Sequence, residues 1–143
     1  MKPEQSKAPA TKNHKILAYA KTFVSKKYHY STNAAGPRSF DCSGFTKYVY
    51  RRVTGKNLLH SAQAQYAHSR HIATPQPGDL VFYLNSAHRA FHVGIYAGRQ
   101  NYKHRGVVRP VMVAAIDTAE DMGYQAMIRR NGARFIVFGT YTH

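Results

Sequence analysis

The apolar residues of this chain change their spacing once, at the segment TPQPGD (74–79), and that change limits the folds open to it. Before it the period is helical. Ile16, Leu17, Ala20, Phe23 and Val24 predict a short amphipathic helix over 14–26, with Asn13 as its cap. Phe45, Val49 and Val53 predict a second helix that starts near Cys42 and stops at Gly55, and a third fits 61–69. TPQPGD itself is a turn, and beyond it the period is two. Leu80, Phe82 and Leu84 alternate with Val81 and Tyr83; Phe91, Val93 and Ile95 alternate with His92, Gly94 and Tyr96. Val111 to Ile116 is a further strand, and 124–128 with 134–141 reads as a hairpin around Arg130-Asn131-Gly132. Helices followed by strands imply an α+β domain, with N-terminal helices packed on a C-terminal antiparallel sheet.

Composition narrows the function. The 143 residues suit one domain, expected over 14–143, behind a flexible basic arm at 1–13 that carries Pro3, Pro9 and three lysines. A hydrophobic share of 43% excludes a disordered polycation. The single cysteine excludes an internal disulfide framework and a multi-cysteine zinc site, and the nine histidines show no ligand spacing, so neither metal nor cofactor is expected. No apolar run approaches the roughly 20 residues of a membrane span. The N-terminal stretch lacks an apolar signal core, so an export signal would have been removed or another route used. What needs a use is the charge: 21 Lys and Arg against 6 Asp and Glu, a net +15.

Cys42 sits in Phe40-Asp41-Cys42-Ser43-Gly44-Phe45, where a loop enters a helix. The helix dipole favours a thiolate there, the neighbouring Asp41 opposes it, and a nearby imidazolium would restore the balance. His92 lies within a strand on the face opposite Phe91, Val93 and Ile95, and Gly94 beside it leaves room for a close neighbour. If the Cys42 helix packs on that face, thiol and imidazole meet as nucleophile and base.

DCSGF (41–45), SAQAQ (61–65), PGDLVFY (77–83) and HVGIYAG (92–98), in this order and spacing, resemble the NlpC family of cell-wall cysteine peptidases. The resemblance covers roughly 14–140. It implies a compact papain-like fold and cleavage of peptidoglycan stem peptides, typically beside D-glutamate, through an acyl-enzyme on the cysteine. Residue by residue, it makes Cys42 the nucleophile and His92 the base, and it makes Tyr28 a loop tyrosine that contacts substrate. It lets Asp41 and Ser43 grip a free amine of the stem peptide, although Asp41 is equally suited to be a helix N-cap. The Cys42 N–H is a natural oxyanion donor. Asp79 is expected to order its turn, and Ser61 and Gln65 to cap and pack the third helix.

The resemblance also implies a polar residue that orients the imidazole, and two candidates fit. His104 follows His92 by 12 residues; Asp117 stands in Ala115-Ile116-Asp117-Thr118. In an antiparallel ladder, pairing 92 with 117 sets Gly94 against Ala115, whereas pairing 92 with 104 sets it against bulky Tyr102. Asp117 is preferred, which makes 99–110 a long basic loop.

The same domain could act as a delivered antibacterial toxin, with a delivery or immunity partner. It could instead be a non-catalytic module binding anionic polymer or nucleic acid, but no base-reading motif is present. The charge is expected to attract the protein to anionic wall polymers, and its place of action is expected to be the cell envelope, periplasm or extracellular space.

Overall fold

The computed structural model describes residues 7–104, 106–129 and 132–143. In chain order the elements are α1 (Lys7–Lys21), β1 (His29–Tyr30), β2 (Ser39–Phe40), α2 (Cys42–Thr54), α3 (Ala62–His68), β3 (Arg70–Ile72), β4 (Leu80–Leu84), β5 (Ala90–His104), β6 (Val107–Asp117), β7 (Asp121–Ala126) and β8 (Phe135–Thr140). The fold is α+β, with three helices and a six-stranded antiparallel sheet in the order β3-β8-β4-β5-β6-β7.

The second and third helices follow their local signals. Asp41 caps α2 by accepting from the Gly44 N–H at 2.6 Å, and Gly55, at φ 79°, closes it by donating to the Arg51 carbonyl. Ser61 caps α3. α1 departs from the expected 14–26. It begins by Lys7, so the arm expected over 1–13 is helical where it is described, and residues 1–6 lie outside the described residues. Pro9 is no obstacle, because a helix's first turn has no use for that N–H. Asn13 is not a cap. It is 2% exposed inside α1, and its Nδ2 donates to Asp79 Oδ1 at 3.0 Å. The helix ends at Lys21, where the N–H groups of Thr22, Phe23 and Val24 turn back to carbonyls three residues earlier.

All five residues of β4 are buried, because both of its faces are covered. Leu80, Phe82 and Leu84 join Val93, Ile95 and the helices' Ile16, Phe45 and Val49 in the main core. Val81 and Tyr83 point the other way, into a smaller cluster with Met112. Asp79, fully buried at the head of β4, accepts the Gln76 N–H at 2.8 Å and thereby orders the turn as expected.

Two connections differ from expectation. β7 and β8 do not form a hairpin; β7 pairs with β6 at one edge, while β8 lies between β3 and β4. The hairpin expected around Arg130-Asn131-Gly132 is thus not formed by β7 and β8, and Arg130 and Asn131 themselves lie outside the described residues. Residues 99–110 are not a long loop, since β5 and β6 run through them as a ladder out to His104↔Val107, with bulges near Gly98 and between Arg99 and Lys103. The expected loop followed from pairing residue 92 with residue 117 and ending the ladder near residues 99 and 110, whereas Arg99↔Pro110 is followed by Lys103↔Val108 and His104↔Val107.

Candidate active site

Tyr30, Cys42, Tyr83, Phe91, His92, Ile116, Asp117 and Gln125 line one cleft of about 220 Å³. Cys42 and His92 are thus brought together, but not by the expected packing. The helices pack on the Val93 and Ile95 face of β5, not on the face of His92 and Gly94. The space at Gly94 is taken by Met112, whose Sδ would lie 2.6 Å from an added Cβ. Thiol and imidazole meet instead where β5 and β6 part. Their ladder runs outward from Ile95↔Val113, and short of it the Val93 N–H is hydrogen-bonded to the Cys42 sulfur.

That sulfur is half-buried at the first residue of α2. Burial pushes the thiol up to about 11, and Asp41 adds to the rise; the N–H groups of Val93, Ser43 and Cys42 pull the other way without cancelling it. Burial and Asp41 thus favour the neutral thiol, against the helix dipole, which favours the thiolate. Attack then requires a base to take its proton.

The imidazole is oriented by neither expected candidate. His92 Nε2 lies 2.8 Å from Oε1 of Gln125, a residue of β7 that is 6% exposed. An amide oxygen only accepts, so Nε2 carries the hydrogen and Nδ1 is the nitrogen that can take a proton. Asp117 lines the cleft, but its Oδ1 accepts the N–H groups of Ala119 and Glu120, at 3.0 and 2.8 Å, and caps the β6–β7 turn. The expected pairing of residue 92 with residue 117 does not form: the β5–β6 ladder begins at Ile95↔Val113, and His92 is paired with Tyr83 of β4. His104 stands on the same strand as His92, at its far end against Val107, while its side chain lies outside the described residues.

The loop tyrosine is also corrected. Tyr28 packs on Phe23, ring centroids 4.7 Å apart, away from the cleft. Tyr30, two residues on, faces Cys42. Burial first, and then the proximity of Cys42, Asp41 and Asp117, raise its hydroxyl, which stays a donor at neutral pH. Asp121 fixes this strand by accepting the Tyr30 N–H at 3.0 Å.

Asp41 is occupied as a cap. Besides Gly44 it accepts the Asn33 N–H at 3.1 Å and the Ser43 hydroxyl at 3.3 Å, and it pairs with His60 Nε2 at 2.8 Å. Ser43 is 5% exposed, and its carbonyl receives Gln65 Nε2 at 2.9 Å. Both residues build the helix start, and neither lines the cleft. Sequence reasoning missed Gln125, Tyr30 as the cleft tyrosine, and His60. The available signals were a lone amide between Tyr124 and Ala126 in an apolar strand and a second loop tyrosine two residues after the first. Among the described residues no cluster of three or more His, Cys, Asp or Glu could hold a metal, and no helix is long and apolar enough to cross a membrane.

A cysteine at a helix start, facing a strand histidine held by an amide, defines a papain-like domain. The NlpC/P60 family model matches residues 25–129, and the chain belongs to that family. It is 46% identical over 85 residues to the probable endopeptidase p60 of Listeria grayi, covering 58% of this chain and 16% of that protein. It is 36% identical over 96 residues to the gamma-DL-glutamyl hydrolase of Bacillus subtilis, covering 63% of this chain and 22% of that protein. The solved NlpC/p60 domain of the peptidoglycan hydrolase SagA superposes with a TM-score of 0.68 at 25% identity, covering 87% of this chain and 97% of that one. The chain thus spans about a sixth to a fifth of the curated relatives named here.

Proposed function

We propose that this domain is a peptidoglycan hydrolase that cuts a stem-peptide bond through an acyl-enzyme on Cys42. The observation that carries the proposal is the shared cleft of Cys42, His92 and Gln125, with His92 Nε2 on Gln125 Oε1. The relatives named endopeptidase and gamma-DL-glutamyl hydrolase support a bond beside D-glutamate.

In this mechanism His92 Nδ1 takes the Cys42 proton as sulfur attacks the carbonyl carbon, because the thiol held near 11 supplies little thiolate unaided. The N–H groups at the start of α2 and the Tyr30 hydroxyl receive the developing oxyanion. The imidazolium, steadied by Gln125, returns the proton to the leaving amine. Water then attacks the thioester, with His92 again taking its proton, and releases the acid and the free thiol. Asp41 and Ser43 support the helix start, and an amine of the substrate would reach Asp41 only through its remaining lone pair. The place of action is the cell envelope or its exterior, where this substrate occurs; action on a competitor's wall would use the same chemistry.

Digestion of purified sacculi by the wild type and by Cys42→Ala, followed by mass spectrometry of the soluble fragments, tests the reading. New stem-peptide ends from the wild type alone are expected. Intact sacculi after wild-type treatment, with tight salt-sensitive polyanion binding by both proteins, would replace the enzyme with a binding module.

A further inference from the structure

A second hollow, roomier than the cleft, lies beside it. It holds about 600 Å³ and is lined by Arg109, Arg129 and Arg134 over an apolar floor that includes Met127, Phe135 and Ile136. It lies on the sheet face of Val81, Tyr83 and Met112, beside the end of β7 and the start of β8. The four aspartates are committed elsewhere: Asp41 at α2, Asp79 at Asn13 and His143, Asp117 at its own turn, Asp121 at β1. None of these bonds goes to the three arginines, which gather three guanidinium groups at the hollow.

Its position says what it serves. Gln125 lines the cleft, and Met127, two residues later, lines the hollow. Two residues of extended chain span at most about 7 Å. Tyr83 lines the cleft, and Ile136, its direct partner on β8, lines the hollow. Directly opposed strand residues stand about 5 Å apart. The hydrogen bond from the Tyr83 hydroxyl to the Ala126 carbonyl, 3.2 Å, forms part of the wall between the two spaces. The hollow thus adjoins the cleft wall formed by Gln125 and Tyr83, so an extended peptide leaving the cleft across that wall enters it.

We propose that the Arg109–Arg129–Arg134 hollow is a subsite for a carboxylate of the same peptide substrate, two or three residues from the bond that is cut. This rests on the peptidase reading above and deepens it by naming the substrate as an acidic peptide recognised at a distance. Guanidinium groups suit the role because they bind a carboxylate through paired N–H donors and keep their charge at any working pH. Proximity to the cleft favours a carboxylate on the substrate over a separate phosphate polymer, since an extended peptide leaving the cleft across that wall enters the hollow.

The test uses the tetrapeptide L-Ala-γ-D-Glu-L-Lys-D-Ala and its C-terminal amide, at low salt, where surface charge is least screened. The wild type should favour the free acid in kcat/KM by about tenfold. In R129A/R134A that ratio should fall to near one, and R109A, on the other wall, should lower it independently; melting temperatures verify that each variant is folded. Equal wild-type rates on the two peptides, or a ratio unchanged in the folded variants, would overturn the subsite while leaving the peptidase reading intact. Hydrolysis of neither peptide or of sacculi would sink the peptidase reading and the subsite with it. Loss of inorganic polyphosphate binding in the variants, with an unchanged peptide ratio, would assign the hollow to a polymer instead.

Discussion

Replacing Gln125 by leucine separates orientation of the base from everything else in the cleft. The side chain is 6% exposed and of nearly leucine size, so the exchange leaves little cavity. What it removes is the acceptor 2.8 Å from His92 Nε2. A partly buried donor left without its partner costs about 1–3 kcal/mol. Some of that falls on the folded state, and the rest on the tautomer and aim of the base. At 1.36 kcal/mol per tenfold, kcat/KM should drop about 10- to 100-fold. Gln125→Glu keeps an acceptor oxygen and adds a charge, so it should retain more activity than the leucine variant. Its carboxylate favours the imidazolium, which moves the acidic limb of the pH–rate profile to higher pH. The assay is kcat/KM on a soluble stem peptide from pH 5 to 10, with a melting curve for each variant. Asp117→Ala serves as the comparison: it loses a turn cap and should keep activity within a few-fold. Near-normal turnover in Gln125→Leu, with turnover abolished in a folded Asp117→Ala, would refute the assignment of the imidazole partner.

Other consequences can be checked separately. Alkylation of Cys42 by iodoacetamide in His92→Ala should be slow at pH 7 and climb as pH rises toward the thiol value of about 11; a plateau below pH 8 would contradict a neutral resting thiol. Tyr30→Phe should lower kcat by about tenfold through loss of one oxyanion donor, whereas Tyr28→Phe should change it little; the reverse order in steady-state assays would return the role to Tyr28. Gly44→Ala sets a Cβ against the Ala34 carbonyl oxygen, a backbone atom that cannot swing aside, and also crowds the Asp41 cap. It should cost about 1–3 kcal/mol or more in urea unfolding, and a midpoint equal to wild type would contradict that packing.

The sequence carried the parts of this fold that depend on neighbours in the chain. Asp41, Gly55, Ser61 and the TPQPGD turn each act within a few residues, and each did what its chemistry indicated. Cys42 and His92, paired by the resemblance, line one cleft. What failed depended on partners far away in sequence. Asn13 looked like a cap because nothing local reveals that Asp79, 66 residues on, needs its amide. Asp117 and Gln125 could not be ranked without the pairing of β7 on β6, which brings Gln125 within hydrogen-bond reach of the imidazole. Asn131-Gly132 signals a change of direction but not which strand receives the chain afterwards. The charge balance also reads differently in three dimensions. Asp121, an ordinary surface acid in the sequence, holds the strand that carries Tyr30, so the described aspartates are all structural anchors.

The central claim is covalent chemistry at Cys42, and a rapid acid quench followed by intact-mass analysis addresses it directly. Wild-type protein mixed with excess stem peptide and quenched during turnover should gain the mass of the acyl fragment, mapped by digestion to the peptide containing Cys42. Cys42→Ala should show neither adduct nor turnover. Turnover by Cys42→Ala at the wild-type rate would contradict the account.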